Sequence, residues 1–319
     1  MSDLLHVGLA QMAPVYFDRA ATLAKVIDWI AAAAAKGCGL VVFGEALVPG
    51  YPFWVELTDG ARFDSDLQKD IFAAYASAAV DVGAGQLGDV CAAAARHGIA
   101  VILGIIERPA DRGGHSLYCS RVHIGADGHI ASVHRKLVPT YEERLVWAPG
   151  DGHGLVVHPV GAFTVGALNC YENWMPLTRA ALYAQGEDCH VAIWPGNRRN
   201  TEALTPVLAM EGRSYVISVS GVFSRADVPV DHPVSAMLAQ APAVLADGGS
   251  CVANPDGSWL LPPMPAGEAL AVAVLDHHAV RRARQNFDPA GHYSRPDVTQ
   301  LTVNRQRQSI ARFLNDPSA

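Results

Sequence analysis

Charge is scarce in this chain. Asp, Glu, Lys and Arg make up 17% of its 319 residues, and the acids are in excess, leaving a formal net charge of −7. A protein short of positive charge lacks the electrostatic footprint for nucleic acid or an anionic membrane surface, so neither is expected as a partner. The one dense basic run, Arg281-Arg282-Ala283-Arg284, reads as the C-terminal cap of a helix. Long apolar runs are missing too: no segment reaches the roughly 20 apolar residues needed to span a bilayer. Met1-Ser2-Asp3-Leu4-Leu5-His6 puts no basic stretch ahead of a long apolar one, so no signal peptide is expected.

Cysteine is sparse and unpatterned. The six cysteines, at 38, 91, 119, 170, 189 and 251, show no CxxC and no framework spacing, which argues against a disulfide scaffold or a zinc cluster and suits a reducing, cytoplasmic setting. Thirteen histidines include no HxH pair and no HExxH, and the adjacent His277-His278 cannot share a ligand face, so no metal is expected. Gly83-Ala84-Gly85 and Gly248-Gly249 lack the pattern of a phosphate loop, and no organic cofactor is expected. There is no fixed-period repeat, low-complexity linker or break in composition. We read one domain over residues 1–319, with residues from about 300 onward as a C-terminal tail.

What the chain does have is apolar residues, 50% of the total, enough for a large core. Strand-length apolar runs fall at 5–12, 40–43, 99–106, 154–158, 163–168, 190–194, 216–222, 250–253 and 269–274. Helical stretches fall at 19–36, 66–80, 86–97, 176–185 and 201–213. The runs 117–124 and 129–133, separated by Gly125-Ala126-Asp127-Gly128, read as a hairpin. The Pro/Gly-rich stretch 255–267 reads as a surface loop. Mixed strands with covering helices predict an α/β sandwich, and the hairpin counts against the strict alternation of a (β/α)8 barrel.

Three of these strands end on a chemically capable residue: Glu45 after Val41-Val42-Phe43-Gly44, Lys136 after His134-Arg135, and Cys170 after Leu168-Asn169. Polar groups at strand ends can converge at one sheet edge, where active sites commonly form. A thiol at a strand-to-helix corner faces unpaired backbone N–H groups that favour the thiolate. Taken singly, each residue also has a plain structural reading, as a packed thiol, a paired carboxylate or a solvated ammonium. Taken together they make a nucleophile, a general base and a charge stabiliser, with no need for histidine.

The surrounding motifs are recognisable. Phe43-Gly44-Glu45-Ala46-Leu47-Val48-Pro49-Gly50-Tyr51-Pro52 resembles the glutamate motif of the nitrilase superfamily of carbon–nitrogen hydrolases. The run from His134-Arg135-Lys136-Leu137-Val138-Pro139-Thr140 to Trp147 resembles its lysine motif, and Asn169-Cys170-Tyr171-Glu172-Asn173-Trp174-Met175-Pro176-Leu177 its cysteine motif. The resemblance extends from Gln11 to Asp297. It implies a four-layer αββα sandwich in which Glu45 is the general base, Lys136 the charge stabiliser and Cys170 the nucleophile. Glu143 matches a further glutamate that helps to place the lysine and the substrate, although spacing alone does not separate it from Glu142. The flanks favour the nitrilase branch, hence hydrolysis of a nitrile to acid and ammonia through thioimidate and acyl-thioester intermediates. An amidase of the same superfamily is the nearest alternative, and a non-catalytic scaffold a remote one. One departure stands out: members of that branch usually carry Trp after the cysteine, where this chain has Tyr171. Tyr51, Trp54, Tyr171 and Trp194 are candidate pocket residues, and His292 a candidate to return to the site from the C-terminal segment. The resemblance also implies a homodimer, or a larger homo-oligomer extending into a spiral.

Overall fold

The computed structural model describes residues 3–239 and 241–311. Fourteen strands lie among them: β1 Leu4–Gln11, β2 Leu40–Phe43, β3 Ala100–Glu107, β4 Tyr118–Ile124, β5 Ile130–Arg135, β6 His158–Val160, β7 Phe163–Asn169, β8 Cys189–Trp194, β9 Tyr215–Ser220, β10 Val222–Ser224, β11 Val244–Asp247, β12 Cys251–Ala253, β13 Trp259–Leu261 and β14 Ala269–Asp276. The helices are α1 Arg19–Ala35, α2 Trp54–Leu57, α3 Asp66–Ala78, α4 Gly88–His97, α5 Pro176–Tyr183, α6 Arg198–Gly212, α7 Ser235–Leu238 and α8 His277–Asn286. The strands form two six-stranded sheets, ordered β14-β1-β2-β3-β4-β5 and β13-β12-β9-β8-β7-β6, with β10 and β11 as a separate ribbon.

Alternation along each central strand divides the apolar residues between two layers. On β2, Leu40 and Val42 pack between the sheets with Val165, Val191 and Ile217 of the second sheet. Val41 and Phe43 face the other way, onto Val26, Ile30 and Ala33 of α1 and Val90 and Ala94 of α4. The second sheet is covered by α6 through Leu204 and Leu208, and by α5 through Ala181 and Leu182. The result is the expected helix–sheet–sheet–helix sandwich. No helix among the described residues is long and apolar enough to cross a membrane.

Strand direction decides where the chemistry falls. β1, β2 and β3 are mutually parallel, as are β7, β8 and β9. β5 is two antiparallel steps from β3, so it runs the same way as β2. Glu45 and Lys136, leaving β2 and β5, therefore emerge at one edge of the first sheet. Across the interface the Glu45 N–H donates to the carbonyl of Trp194 at the end of β8, 3.1 Å away, which brings the matching edge of the second sheet alongside.

Several expected boundaries differ. Residues 154–158 do not form a strand: Gly152–Gly154 is a 3-10 turn and β6 is only His158–Val160. A Cβ on Gly154 would stand 2.3 Å from the Cα of His134, so the backbone here is pressed against β5 instead of running beside β7. The expected strand 216–222 breaks at Gly221, where a Cβ would meet the Pro195 carbonyl oxygen at 2.5 Å. The stretch 255–267 is not all loop, since β13 pairs with β12. The expected helix 66–80 stops at Ala78, and Val80 bonds instead to β3 through the Ile106 carbonyl. Of the basic run on α8, only Arg284 lies in the last turn. Within the tail, Arg307 pairs with Asp151 and donates to the Val133 carbonyl.

Gly104 on β3 holds the turn that carries Glu45. A Cβ there would stand 2.2 Å from the Gly44 carbonyl oxygen and 2.7 Å from the Glu45 Cα. Backbone cannot yield as a flexible side chain can, so Gly104→Ala should destabilise the fold by about 1–3 kcal/mol or more. It should also lower any activity that depends on Glu45. Urea unfolding midpoints read alongside the rate on the folded protein test both effects.

Candidate active site

Two of the three strand ends, and the 3-10 turn that carries Glu143, make abrupt local turns. Ala46, directly after Glu45, has φ 53°, Cys170 itself has φ 44°, and Tyr141, two residues before Glu143, has φ 41°. Left-handed backbone at residues with a Cβ is costly and persists where surrounding contacts over-determine it. At Cys170 those contacts can be named. Asn169 and Glu172 form a capping box on the 3-10 turn Cys170–Trp174, with Glu172 accepting from the Asn169 N–H at 2.9 Å. Asn173 Nδ2 donates to the Cys170 carbonyl at 2.8 Å, while its Oδ1 is 2.8 Å from His190 Nε2.

Glu172 also joins the two motifs on either side of it. Its oxygens lie 3.0 Å from His134 Nε2, and it accepts the Leu137 N–H at 2.7 Å. The residues flanking Lys136 are thus tied to the turn that presents Cys170. Burial alone would raise the Glu172 carboxyl, but His134 and the two backbone donors outweigh it and hold the carboxyl below its usual range.

Glu45, Lys136, Glu143 and Cys170 form one buried cluster. Lys136 Nζ lies 2.9 Å from Glu45 Oε1 and 2.8 Å from Glu143 Oε2. One carboxylate oxygen each from Glu45 and Glu143 and the Cys170 Sγ all lie within 4.8 Å of one another. Such a donor set suits a cation, and the cation it holds is the Lys136 ammonium. Of the adjacent glutamates it is Glu143 that reaches the lysine. Its Oε2 also accepts the Thr140 N–H, and Tyr51 Oη donates to its Oε1 at 2.9 Å. Glu142 is only half-buried and receives a long 3.4 Å contact from the same hydroxyl.

The charges shape one another. Burial pushes the Glu45 carboxyl up to about 7, against the pull of Lys136. Burial works against the Lys136 ammonium, but Glu45 and Glu143, joined by Cys170 only when it is ionised, keep it firmly protonated. Burial raises the Cys170 thiol well above its ordinary value, only partly offset by Lys136 and by the Tyr171 N–H that bonds to it. The expectation that the corner would favour a thiolate at rest is therefore corrected. The turn is a short 3-10 segment, and its donors do not overcome desolvation by the neighbouring core and two carboxylates.

Cys170 and Glu143 open onto a cavity of about 570 Å³. Its walls are mixed: Tyr51, Phe53, Leu57, Tyr171 and Leu245 give it apolar surface, and Glu56, Glu142, Asn197 and Asn200 are among its polar groups. Tyr51 and Tyr171 thus lie where the sequence suggested. Trp54 and Trp194 do not line this cavity. Trp54 packs in the cluster with Tyr75 and Trp147, and Trp194 lies fully buried among Cys170, Leu204 and Leu208. Trp194 ends a strand buried along its whole length, and Trp54 starts a short helix whose buried side it shares with Val55. His292 is exposed in a C-terminal turn and does not line the cavity either. Sequence reasoning missed the Glu172 anchor, although Asn169-x-x-Glu172 is a legible capping-box signature. It also missed Cys119, whose contact with Glu45 has no local signal at all.

The carbon–nitrogen hydrolase family profile matches residues 6–285. The chain is 34% identical to nitrilase 2 of Arabidopsis thaliana over 98% of this chain and 93% of that one. It is 36% identical to an aliphatic nitrilase of Sinorhizobium fredii over 95% and 97%. Among solved structures, a carbon–nitrogen hydrolase from Helicobacter pylori shares the fold with a TM-score of 0.66 at 19% identity, over 92% of this chain and 96% of that one. The chain belongs to the carbon–nitrogen hydrolase family.

Glu172→Gln should cost about 3 kcal/mol or more, because it leaves buried donors facing an amide N–H. The contribution of the ionised carboxyl is present above the unfolded-state carboxyl value and is lost as pH falls through the depressed folded value. Chemical denaturation of both proteins at pH 7 and near pH 3 should show the gap between them narrowing in acid.

Proposed function

We propose that the protein is a nitrilase that hydrolyses an organic nitrile to the carboxylic acid and ammonia. The observation that carries this reading is the buried cluster of Glu45, Lys136, Glu143 and Cys170, from which Cys170 and Glu143 open onto the cavity. It is joined by identities of 34% and 36% to proteins named as nitrilases.

In the resting site Cys170 is a thiol. Glu45 takes its proton as sulfur adds to the nitrile carbon, and the C–N π pair moves onto nitrogen, which is then protonated to give a thioimidate. Lys136, held by Glu45 and Glu143, faces the nitrogen as it gains charge, and the Tyr171 N–H adds a second donor. A first water, deprotonated by Glu45, adds to carbon. The tetrahedral intermediate collapses by breaking the C–N bond, releasing ammonia and leaving an acyl-thioester. A second water breaks the C–S bond, releasing the acid and restoring the thiol. Two waters are consumed per nitrile. A base that titrates near 7 can both take and return a proton at neutral pH, which is what alternating steps require.

Tyr51 and Tyr171 are the substrate contacts in this proposal, whereas Trp54 and Trp194 support the walls from behind and His292 takes no part. Self-association belongs to the same reading, supported by the exposed Trp174 and Leu177 beside the nucleophile turn. A cytoplasmic setting fits the free cysteines among the described residues.

Ammonia and product analysis on matched nitriles and amides tests the activity. Acid and ammonia from nitriles, abolished in Cys170→Ala, is the expected result, and turnover of amides alone would make the protein an amidase. In the free enzyme Glu45 must be ionised to act as base. The rate kcat/KM should therefore fall as pH drops below about 7, approaching tenfold per unit. An acid limb near 4.5 would refute the buried-base assignment.

A further inference from the structure

A second thiol lies behind the site. Cys119, on β4, is buried and its Sγ donates to Glu45 Oε1 across 3.3 Å. Asn169 Nδ2, next to the nucleophile in sequence, donates to that sulfur at 3.5 Å. The Cys119 carbonyl accepts the Lys136 N–H at 2.8 Å. One residue thus touches Glu45 by its side chain, the lysine segment by its backbone, and the cysteine segment through Asn169.

The consequence for Glu45 is an asymmetry between its two oxygens. Oε1 is held twice, by Lys136 Nζ and by the Cys119 thiol, whereas Oε2 is buried without any hydrogen-bond partner. A desolvated carboxylate oxygen left unpartnered is costly, and the cost is removed when a proton or a water arrives at it. We infer that Cys119 is a positioning residue: its S–H anchors Glu45 Oε1 so that Oε2 is the oxygen through which the base exchanges protons. This rests on the reading of Glu45 as the base. Cys119 itself neither forms nor breaks a bond. Burial first, and the Glu45 charge second, keep its thiol protonated and therefore able to donate. The other groups that set the ionisation of Glu45 are Lys136 after β5, Glu143 from its 3-10 turn and, through its ionised form, Cys170 at the end of β7.

Loss of the donor has a signed effect, since the Cys119 hydrogen bond pulls the Glu45 carboxyl down. In the full-length protein, Cys119→Ala should lower kcat roughly tenfold with KM little changed. It should also move the acid limb of kcat/KM upward by about half a pH unit. Cys119→Ser, which keeps a donor, should recover most of the rate and return the limb toward the native position. Cys119→Val, which fills the volume without a donor, should behave as Ala does and carries the comparison if Ala does not fold. An unmoved limb and native kcat in Ala or Val would overturn the proposal. So would a Ser variant as impaired as Val, since only packing would then matter. Glu45→Gln separates the two levels. If it retains native turnover, the base assignment itself fails. If it is inactive while Cys119→Val is native, only the role of Cys119 fails.

Discussion

An ammonium held between two carboxylates in a water-poor space is the constraint on which the rest of the site depends. Lys136 bonds Glu45 and Glu143 at 2.9 and 2.8 Å, and all three are buried. Burying such charges is tolerable only when each is paired with good geometry. One ammonium cannot fully compensate two carboxylates, so the cluster resists a further negative charge. Burial first, with the second carboxylate adding to it and Lys136 opposing it, raises Glu45 to about 7 and holds the nearby Cys170 thiol well above its ordinary value. In the proposed mechanism Cys170 is a neutral thiol until Glu45 takes its proton.

The fold supplies rigidity where this cluster would otherwise relax. Glu45 is held by the Trp194 carbonyl, by a close approach to Gly104 and by the Cys119 thiol. Cys170 is held by the Asn169–Glu172 capping box and by Asn173, which is braced in turn by His190 and Glu187. Glu172 makes the lysine and cysteine segments a single unit. Several of these supports are buried polar groups whose hydrogen bonds cross from one motif to another, as Glu172 does to His134 and Leu137. A substitution in one motif should therefore be felt in the other two.

The cavity has a different character. Tyr51 connects the apolar wall to the charged floor, since its ring lines the space while its hydroxyl donates to Glu143. Burial, then the Glu143 charge, keeps that hydroxyl protonated and available as a donor. Tyr171 stands half-exposed at the wall next to Cys170. Of the two tyrosines at the wall, Tyr51 is the one whose hydroxyl also reaches the charged cluster.

By itself the sequence determined the strand-length apolar runs, most of the helices that cover them, and the three strand ends that carry Glu45, Lys136 and Cys170. All of these are local properties, legible because burial imposes periods of two and 3.6 and because a strand end is marked by a break in apolar character. Tertiary structure alone decided the remainder. It chose Glu143 over Glu142, a distinction that depends on which carboxylate a 3-10 turn aims inward. It drew Trp54 and Trp194 into the core and left His292 on the surface. It turned residues 152–154 into a tight turn, because Gly154 must lie against β5. It also brought Cys119 to Glu45, 74 positions apart in the chain. Contacts of that separation follow from strand order and register across two packed sheets, and no local pattern of residues records them.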